Sequence, residues 1–253
     1  MNIFAYDFGY DGPWSYGHLI AAVIFAVMLG VSFWRNWPLW TKVLVDLLLA
    51  WSIAGYVILQ LVLRINLPLE LPTDNFLTAG TGQVLDAGAG SGRSSLMVLQ
   101  GRPQSRVIAL DLYAGYFGIQ DNTPDRLYAN ARLAGVADRL EAKVGDMREI
   151  PLADETLDAA VSAYAIDHLE IEGIKKSFAE IRRVLRPDGE FLLMVINNDV
   201  WIRIAYPFFL HHGYFGPRTN IERWRNLLTD AGFEVLEQGT QPATLYFLVR
   251  KGT

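Results

Sequence analysis

Gln83–Ser95 reads QVLDAGAGSGRSS, and the rest of the chain can be read outward from it. The apolar run from Val84 ends in Asp86 and then Gly88, Gly90 and Gly92, as a buried strand passing into a turn does. Glycines at such a turn let the backbone bend sharply and come close to a ligand. Ser94 to Leu99 then opens a helix. In an open parallel sheet the ligand crevice lies at the carboxyl ends of the strands. The dinucleotide fingerprint G-x-G-x-x-G would need glycine at position 93, where this chain has Arg93. An acid at Asp86 would also repel a pyrophosphate. It suits a ligand carrying a cationic amino group, which disfavours an NAD-dependent oxidoreductase.

Downstream, strand and helix patterns alternate. RVIALDL (106–112) reads as a second strand. Thr123, Pro124 and Asp125 supply an N-cap, a first-turn proline and a first-turn acid for a helix that stops at Gly135. LEAKVGDM (140–147) and LDAAVSAYAI (157–166) read as the third and fourth strands. Ile171 to Leu185 is helical, and EFLLMVI (190–196) is the fifth strand. Thr219 and Glu222 form a capping box for a helix ending before Gly232. FEVLEQ (233–238) and ATLYFLV (243–249) complete the set. The fold class is therefore α/β: a Rossmann-like, seven-stranded, mostly parallel sheet with helices on both faces.

Two further acids stand at strand ends. Asp111 is placed to accept hydrogen bonds from two ribose hydroxyls. Asp146 is placed to accept from an exocyclic adenine amine. Any one such Asp is ordinary turn chemistry, but three in register with a glycine loop form a pattern. Here the sequence resembles the class I S-adenosylmethionine-dependent methyltransferases. VLDAGAGSGRSS is similar to their first motif and IALDL to their second. VGDM with IPLADETLDAAVSAYAIDHL looks like their third and fourth, and RVLRPDGEFLLMVI like the segment that follows. The resemblance is good over about residues 83 to 196 and extends over 217 to 250 in pattern only. It implies S-adenosylmethionine as cofactor. It implies contacts to the methionine end from Asp86, Gly88, Ala89 and Gly90, to ribose and adenine from Asp111 and Leu112, and to adenine from Asp146 and Met147. Ala163 and Tyr164 would lie alongside. YAGYFGIQDNT (113–123) is longer than the family pattern leads one to expect, as a lid or substrate wall would be.

A sulfonium is an activated donor, so the protein has mainly to align nucleophile, methyl and sulfur. A base is needed only for a protonated nucleophile. The candidates are His168, after the fourth strand, and His211 and His212 in the aromatic-rich segment NNDVWIRIAYPFFLHHGYFG (197–216), with Tyr164 ordering the substrate. His168 could equally be a helix-start residue bonded to Asp167. The 197–216 segment could be an apolar acceptor pocket or a flap packed on the N-terminus. No local ligand set completes a metal site around the paired histidines.

The first seventy residues differ from the rest. Hydrophobic residues are 51% of the chain and charged residues 19%, and the apolar excess is concentrated before residue 70. HLIAAVIFAVMLGVSFW (18–34) and VLVDLLLAWSIAGYVILQLVL (43–63) would be roughly 25 and 31 Å long as helices, against about 30 Å of bilayer core. Trp14, Tyr16, Trp34, Trp37 and Trp40 flank them as interfacial aromatics do. Asp7 and Asp11 precede the first stretch, which therefore does not read as a signal peptide. Core helices of a soluble protein are the competing reading. Two domains are expected: a transmembrane or re-entrant hairpin over 1–70 and a methyltransferase domain over 71–253. Deleting residues 1–66 should then leave a foldable cofactor-binding domain. Arg35 and Lys42 in the connector would place that connector in the cytoplasm, whereas a cytosolic cofactor requires the catalytic domain there. We give weight to the cofactor.

Net charge is −5, without a basic run, so nucleic acid is not an expected partner. No cysteine is present, which excludes disulfides and thiolate nucleophiles. The expectation is a membrane-attached methyltransferase with a small, hydrophobic or lipid-like acceptor. The alternatives are another S-adenosylmethionine-using transferase on the same fold and a non-catalytic cofactor-binding subunit.

Overall fold

A computed structural model of the chain describes residues 5–10, 12–114, 119–207 and 221–252. Seven strands form one sheet: β1 Thr81–Ala87, β2 Gln104–Asp111, β3 Leu140–Val144, β4 Leu157–Ala163, β5 Leu185–Ile196, β6 Phe233–Gln241 and β7 Thr244–Lys251, in the order β3-β2-β1-β4-β5-β7-β6. The five strands from β3 to β5 pair in parallel, and β7 runs antiparallel between β5 and β6. The order reverses between β1 and β4, so a crevice opens there at the strands' carboxyl ends.

Strand alternation divides the core into two layers. Leu85 and Ala87 of β1, with Ile108 and Leu110 of β2, face α5 (Ile171–Val184) and α7 (Ile221–Asp230), whose Phe178, Ile181, Trp224 and Leu228 are buried against them. Val84, Val107 and Ala109 face the other way, onto α3 (Arg93–Gly101) and α4 (Pro124–Leu133) through Leu96, Met97, Leu99 and Leu127. The expected N-cap of α4 is present, with Thr123 Oγ1 accepting from the Arg126 N–H. Thr219 of the expected capping box lies outside the described residues.

The apolar stretches form two antiparallel helices, α1 (Gly12–Trp34) and α2 (Leu39–Val57), the second running on through a wide π turn at Ile58–Val62. Their shared face is small and polar. Ser15, His18 and Ser32 of α1 and Ser52 and Gly55 of α2 are buried. A Cβ on Gly55 would overlap the His18 ring, so the glycine is what admits the imidazole. Leu19, Val23, Val27, Leu44 and Leu47 point outward and are exposed.

The hairpin base is joined to the sheet domain. Ile58, Leu59 and Ile65 cluster with Ala205 of the short helix α6 (Val200–Ala205), which follows β5. His18 Nε2 lies 2.6 Å from the Ala205 carbonyl oxygen, and Trp51 Nε1 donates to the Ile204 carbonyl at 3.1 Å. Unpaired carbonyls at the C-terminal end of a helix need such partners. Residues 6–10 run across the sheet domain as a strap. The Asp7 N–H donates to Asn130 Oδ1, Ser91 Oγ donates to the Phe8 carbonyl, and Phe8 is buried. Residues 1–66 thus share hydrogen bonds and buried side chains with the sheet domain.

Candidate functional site

The glycine loop is held by its own geometry. Gly88, Gly90 and Gly92 have φ of 84°, 52° and 97°, a region that costs an L-residue about 1–2 kcal/mol. A Cβ on Gly88 would overlap Ala165 Cβ and come 2.8 Å from Met147 Cε. The bare backbone at Gly88 therefore lets Ala165, just after β4, and Met147, just after β3, pack directly against the end of β1. Beside it lies a cavity of about 380 Å³, within the usual range of small-molecule sites.

The structure brings most of the expected residues to this cavity. Gly88, Ala89, Gly90, Asp111, Leu112, Asp146, Met147, Ala163, Tyr164 and His168 all line it. Asp86 does not. It is fully buried behind the loop, where Ser94 Oγ and Ser95 Oγ donate to Oδ2 at 2.7 and 2.5 Å and Oδ1 has no partner. Strand parity is the reason: Asp86 shares the face of Val84 and points under α3. Burial pushes its carboxyl up to about 6, against the two serine hydrogen bonds that lower it. Asp86 thus stands beneath the loop and not on the cavity wall, where its expected contact with a ligand amine would be made.

Asp111 is the hinge of the site. Its Oδ2 accepts from the Gly90 N–H at 2.8 Å, and its Oδ1 accepts from the Tyr113 N–H at 2.8 Å and from Asn122 Nδ2 at 3.0 Å. One carboxylate thereby ties the glycine loop to the segment after β2. Asn122 also lines the cavity, and its Oδ1 is buried without a partner. Asp146 is gripped by Arg148, whose Nη2 donates at 2.6 Å and whose Nε lies about equidistant from both oxygens, at 2.9 and 3.0 Å. These bonds hold its carboxyl below the usual range. Neither Asn122 nor Arg148 was singled out from the sequence, because each acts through a partner in space.

At the end of β4, Tyr164 has a left-handed φ of 53° and hydrogen-bonds Thr244 Oγ1 on β7. Burial raises its phenol above the usual value. Asp167 is buried, with Oδ2 accepting from the Ile196 N–H at 2.9 Å, so it fixes the His168 turn to the end of β5. Burial also raises the Asp167 carboxyl. His211 and His212 lie outside the described residues.

The opposite wall joins the 197–216 segment, read from sequence as an acceptor pocket or a flap on the N-terminus, to residues not singled out from the sequence as part of a site. Tyr10 and Trp14 from the start of the chain and Val62 to Ile65 from the end of α2 line the same cavity, facing Ile196, Ile202 and Tyr206. Arg93 holds this wall in place. Its Nε donates to the Leu67 carbonyl at 2.9 Å, Nη2 to the carbonyls of Arg64 and Leu63 at 3.1 and 3.4 Å, and Nη1 to Tyr10 Oη at 3.3 Å. The guanidinium also sits over the rings of Phe8 and Tyr10. The residue that breaks the dinucleotide fingerprint is the tether between loop and hairpin. Among the described residues no cluster could hold a metal ion.

Comparison with known proteins gives a consistent picture. Residues 84–189 match a family model described as a methyltransferase domain. Over 116 residues the chain is 34% identical to a malonyl-[acyl-carrier protein] O-methyltransferase of Methylovorus sp. (strain MP688), covering 46% of this chain and 37% of that protein. It is 30% identical to the ubiquinone/menaquinone biosynthesis C-methyltransferase of Syntrophotalea carbinolica, covering 47% and 46% respectively. The chain thus spans less than half the length of these two curated relatives. The structure of a SAM-dependent methyltransferase from Methanosarcina mazei superposes with a TM-score of 0.56 at 19% identity, covering 73% of this chain and 99% of that one. That likeness shows the shared fold.

Proposed function

We propose that this chain, which carries a class I S-adenosylmethionine-dependent methyltransferase domain with S-adenosylmethionine as its cofactor, transfers a methyl group to a small apolar acceptor at a membrane. The observation that carries the reading is the Asp111 junction. It sets a carboxylate, the glycine-loop backbone and an unpartnered buried Asn122 oxygen on one cavity wall. The residues fit the cofactor. The left-handed backbone of Gly88 and Gly90 brings main chain, without side chains, to the cavity wall. The acceptor-rich wall of Asp111, Asn122 and Asp146 favours a ligand with hydroxyl and amine donors, and the buried Asp86 favours positive charge nearby.

Bound there, S-adenosylmethionine supplies a methyl group already activated on a sulfonium. The chain's own task is then alignment. Asp111 and Asn122 would accept hydrogen bonds from the cofactor, while Met147 and Leu112 would give it apolar contact. His168, on the cavity wall, takes a proton where the acceptor atom carries one. Tyr164, fixed by Thr244, orders the acceptor.

Membrane attachment is supported by the hairpin. Gly12–Trp34 and Leu39–Val62 are 23 and 24 residues long, with hydropathies of 2.0 and 1.9, enough for about 30 Å of hydrocarbon. Their small, polar shared face and outward-facing apolar side chains suit lipid better than water. At the far tip Arg35 lies over Trp34 and Lys42 over Phe33, a pairing at home in the headgroup region. The tip is remote from the cavity, so the catalytic domain sits on one side, which we assign to the cytoplasm, the compartment of the cofactor.

The test is calorimetry of S-adenosylhomocysteine with the full chain, paired with release of that product when labelled donor is mixed with a membrane lipid extract. Asp111→Ala should weaken binding by about 100-fold, since it removes charge-assisted hydrogen bonds and frees the loop. Unchanged affinity would show that the ligand does not sit on this wall.

A further inference from the structure

The cavity has two halves, and they are built from different parts of the chain. Over β3, β2 and β1 the wall is polar and carries Asp146, Asp111 and Gly90. Over β4, β5 and β7 it is apolar. There the hairpin base contributes Trp14, Val62 and Ile65, opposite Ile196, Ile202 and Tyr206. The hairpin is therefore more than a tether, because its last turn is part of the cavity wall.

Three observations fix how that wall is made. The π turn at Ile58–Val62 packs on Ala205 of α6 through Ile58 and Leu59. The carbonyls that end α6 are met by His18 and Trp51 from within the hairpin, and Tyr206 Oη donates to the Trp14 carbonyl at 3.0 Å. Arg93 ties the chain just after the π turn to the start of α3. The apolar half of the cavity is thus continuous with two helices whose outward side chains, such as Leu19, Val57 and Leu61, are exposed and apolar. The polar groups on this half include the hydroxyls of Tyr10, Tyr206 and Thr244 and the Gln241 amide; the charged residues Arg64 and Glu70 pair with each other, Arg93 is bonded to backbone carbonyls and Tyr10, and His168 stands where the halves meet. With those charges engaged within the protein, such a wall suits a molecule with a long apolar body and a compact polar head.

We infer that the base of the hairpin is the specificity wall of the acceptor site, and that it takes an apolar-tailed small molecule directly from the bilayer, with the reacting head directed toward the β1–β4 crevice. This rests on the methyltransferase reading for the identity of the other half. The hairpin then has two roles: α1 and α2 sit in lipid, and their base selects the acceptor. The acceptor need not cross water, where its apolar surface would be costly to expose.

The experiment uses the full chain in nanodiscs of phosphatidylcholine and phosphatidylglycerol, doped with a diazirine-bearing hexadecanol as photoreactive probe. Labelled residues are mapped by mass spectrometry. Labelling is expected on the cavity-lining residues Trp14, Val62, Ile202 and Tyr206 in addition to the outward helix faces. Val62→Phe, which fills the cavity from the hairpin side, should lower the labelling of Ile202 and Tyr206 by about tenfold, since overfilling costs a ligand at least 1.4 kcal/mol. Ile202→Phe, from the opposite wall, should do the same to Trp14 and Val62, and it stands in if the first variant does not fold. Label confined to outward residues such as Val27 and Leu44 overturns the inference. So does cavity labelling that neither variant changes, or a chain that stays outside the discs. S-Adenosylhomocysteine calorimetry on the same discs separates the two readings. Lost nucleoside binding with intact cavity labelling would refute the methyltransferase reading and leave the lipid-fed pocket standing.

Discussion

The two halves of the cavity are stabilised in opposite ways. The polar half is held mainly by local chemistry, a glycine loop, a strand-end aspartate and neighbours within one strand of it, with the 6–10 strap bonded to Ser91 and Asn130 from outside. The apolar half is held by contacts between positions nearly 190 apart in sequence, as with His18 and the Ala205 carbonyl, |i−j| = 187. Local contacts cost little loop-closure entropy and tolerate change elsewhere in the chain. The long-range half depends on the hairpin, α6 and the sheet being in place together. Binding of the cofactor and binding of the acceptor should therefore be separable by mutation.

The largest effect is expected at the polar half. Gly88→Val adds a β-branched side chain at a φ of 84°, where even a Cβ would overlap Ala165. The backbone strain and the displaced loop together should abolish S-adenosylhomocysteine binding, a loss of more than about 100-fold. Hairpin contacts should persist, as read by hydrogen exchange over residues 51–65. Wild-type affinity in calorimetry would show that the ligand does not depend on the glycine loop. Arg93→Ala should come next. It removes the side-chain donor from the carbonyls of Leu63 and Leu67 and one of two donors from the Arg64 carbonyl, which keeps the Leu67 N–H, at about 1 kcal/mol apiece and about 3 kcal/mol together. Urea unfolding of the full chain measures this. Arg93→Lys should recover only part, because one ammonium cannot reach the four acceptors that the guanidinium fork spans. If Arg93→Ala instead unfolded like the wild type, the two halves would be independent bodies and the tether would have no energetic content.

This contrast also explains what could be read from sequence. The sheet was legible because buried parallel strands are short apolar runs and their turns use distinctive residues; each of the seven expected runs falls on a strand. The approximate place of the cavity followed from the glycine loop. For Asp86, counting by twos from Val84 already places the side chain under α3, where Ser94 and Ser95 hold it. Asn122 and Arg148 carried no pattern of their own, since one depends on Asp111 and the other on Asp146. The hairpin was legible as two apolar helices. Its role as a cavity wall was not, because no local rule connects Gly55 and His18 to α6. Arg93 was read only as an absent glycine, whereas its five donors are what bring the two regions together.

The smallest of these effects concerns Asp86 and depends on pH. Its folded carboxyl is pushed from 3.8 up to about 6, chiefly by burial, with a smaller contribution from Asp111. A carboxyl with a raised folded pKa binds more protons in the folded chain than in the unfolded one. Its contribution is therefore fully favourable below 3.8 and is lost as pH rises through about 6. The loss between those limits is on the order of 3 kcal/mol. Asp86→Asn keeps an acceptor for Ser94 and Ser95 but cannot ionise. Relative to the wild type, the variant should therefore gain stability between pH 4 and 7 in thermal unfolding monitored by circular dichroism. A parallel pair of curves would mean that Asp86 is ionised at no cost behind the loop. A positively charged ligand held over the loop would favour the ionised carboxylate. Near pH 6, binding of S-adenosylmethionine should therefore release protons from the wild type and not from Asp86→Asn. Calorimetry in buffers of different ionisation enthalpy reads that difference directly. It is how a side chain that never touches the cavity would still report the charge of what fills it.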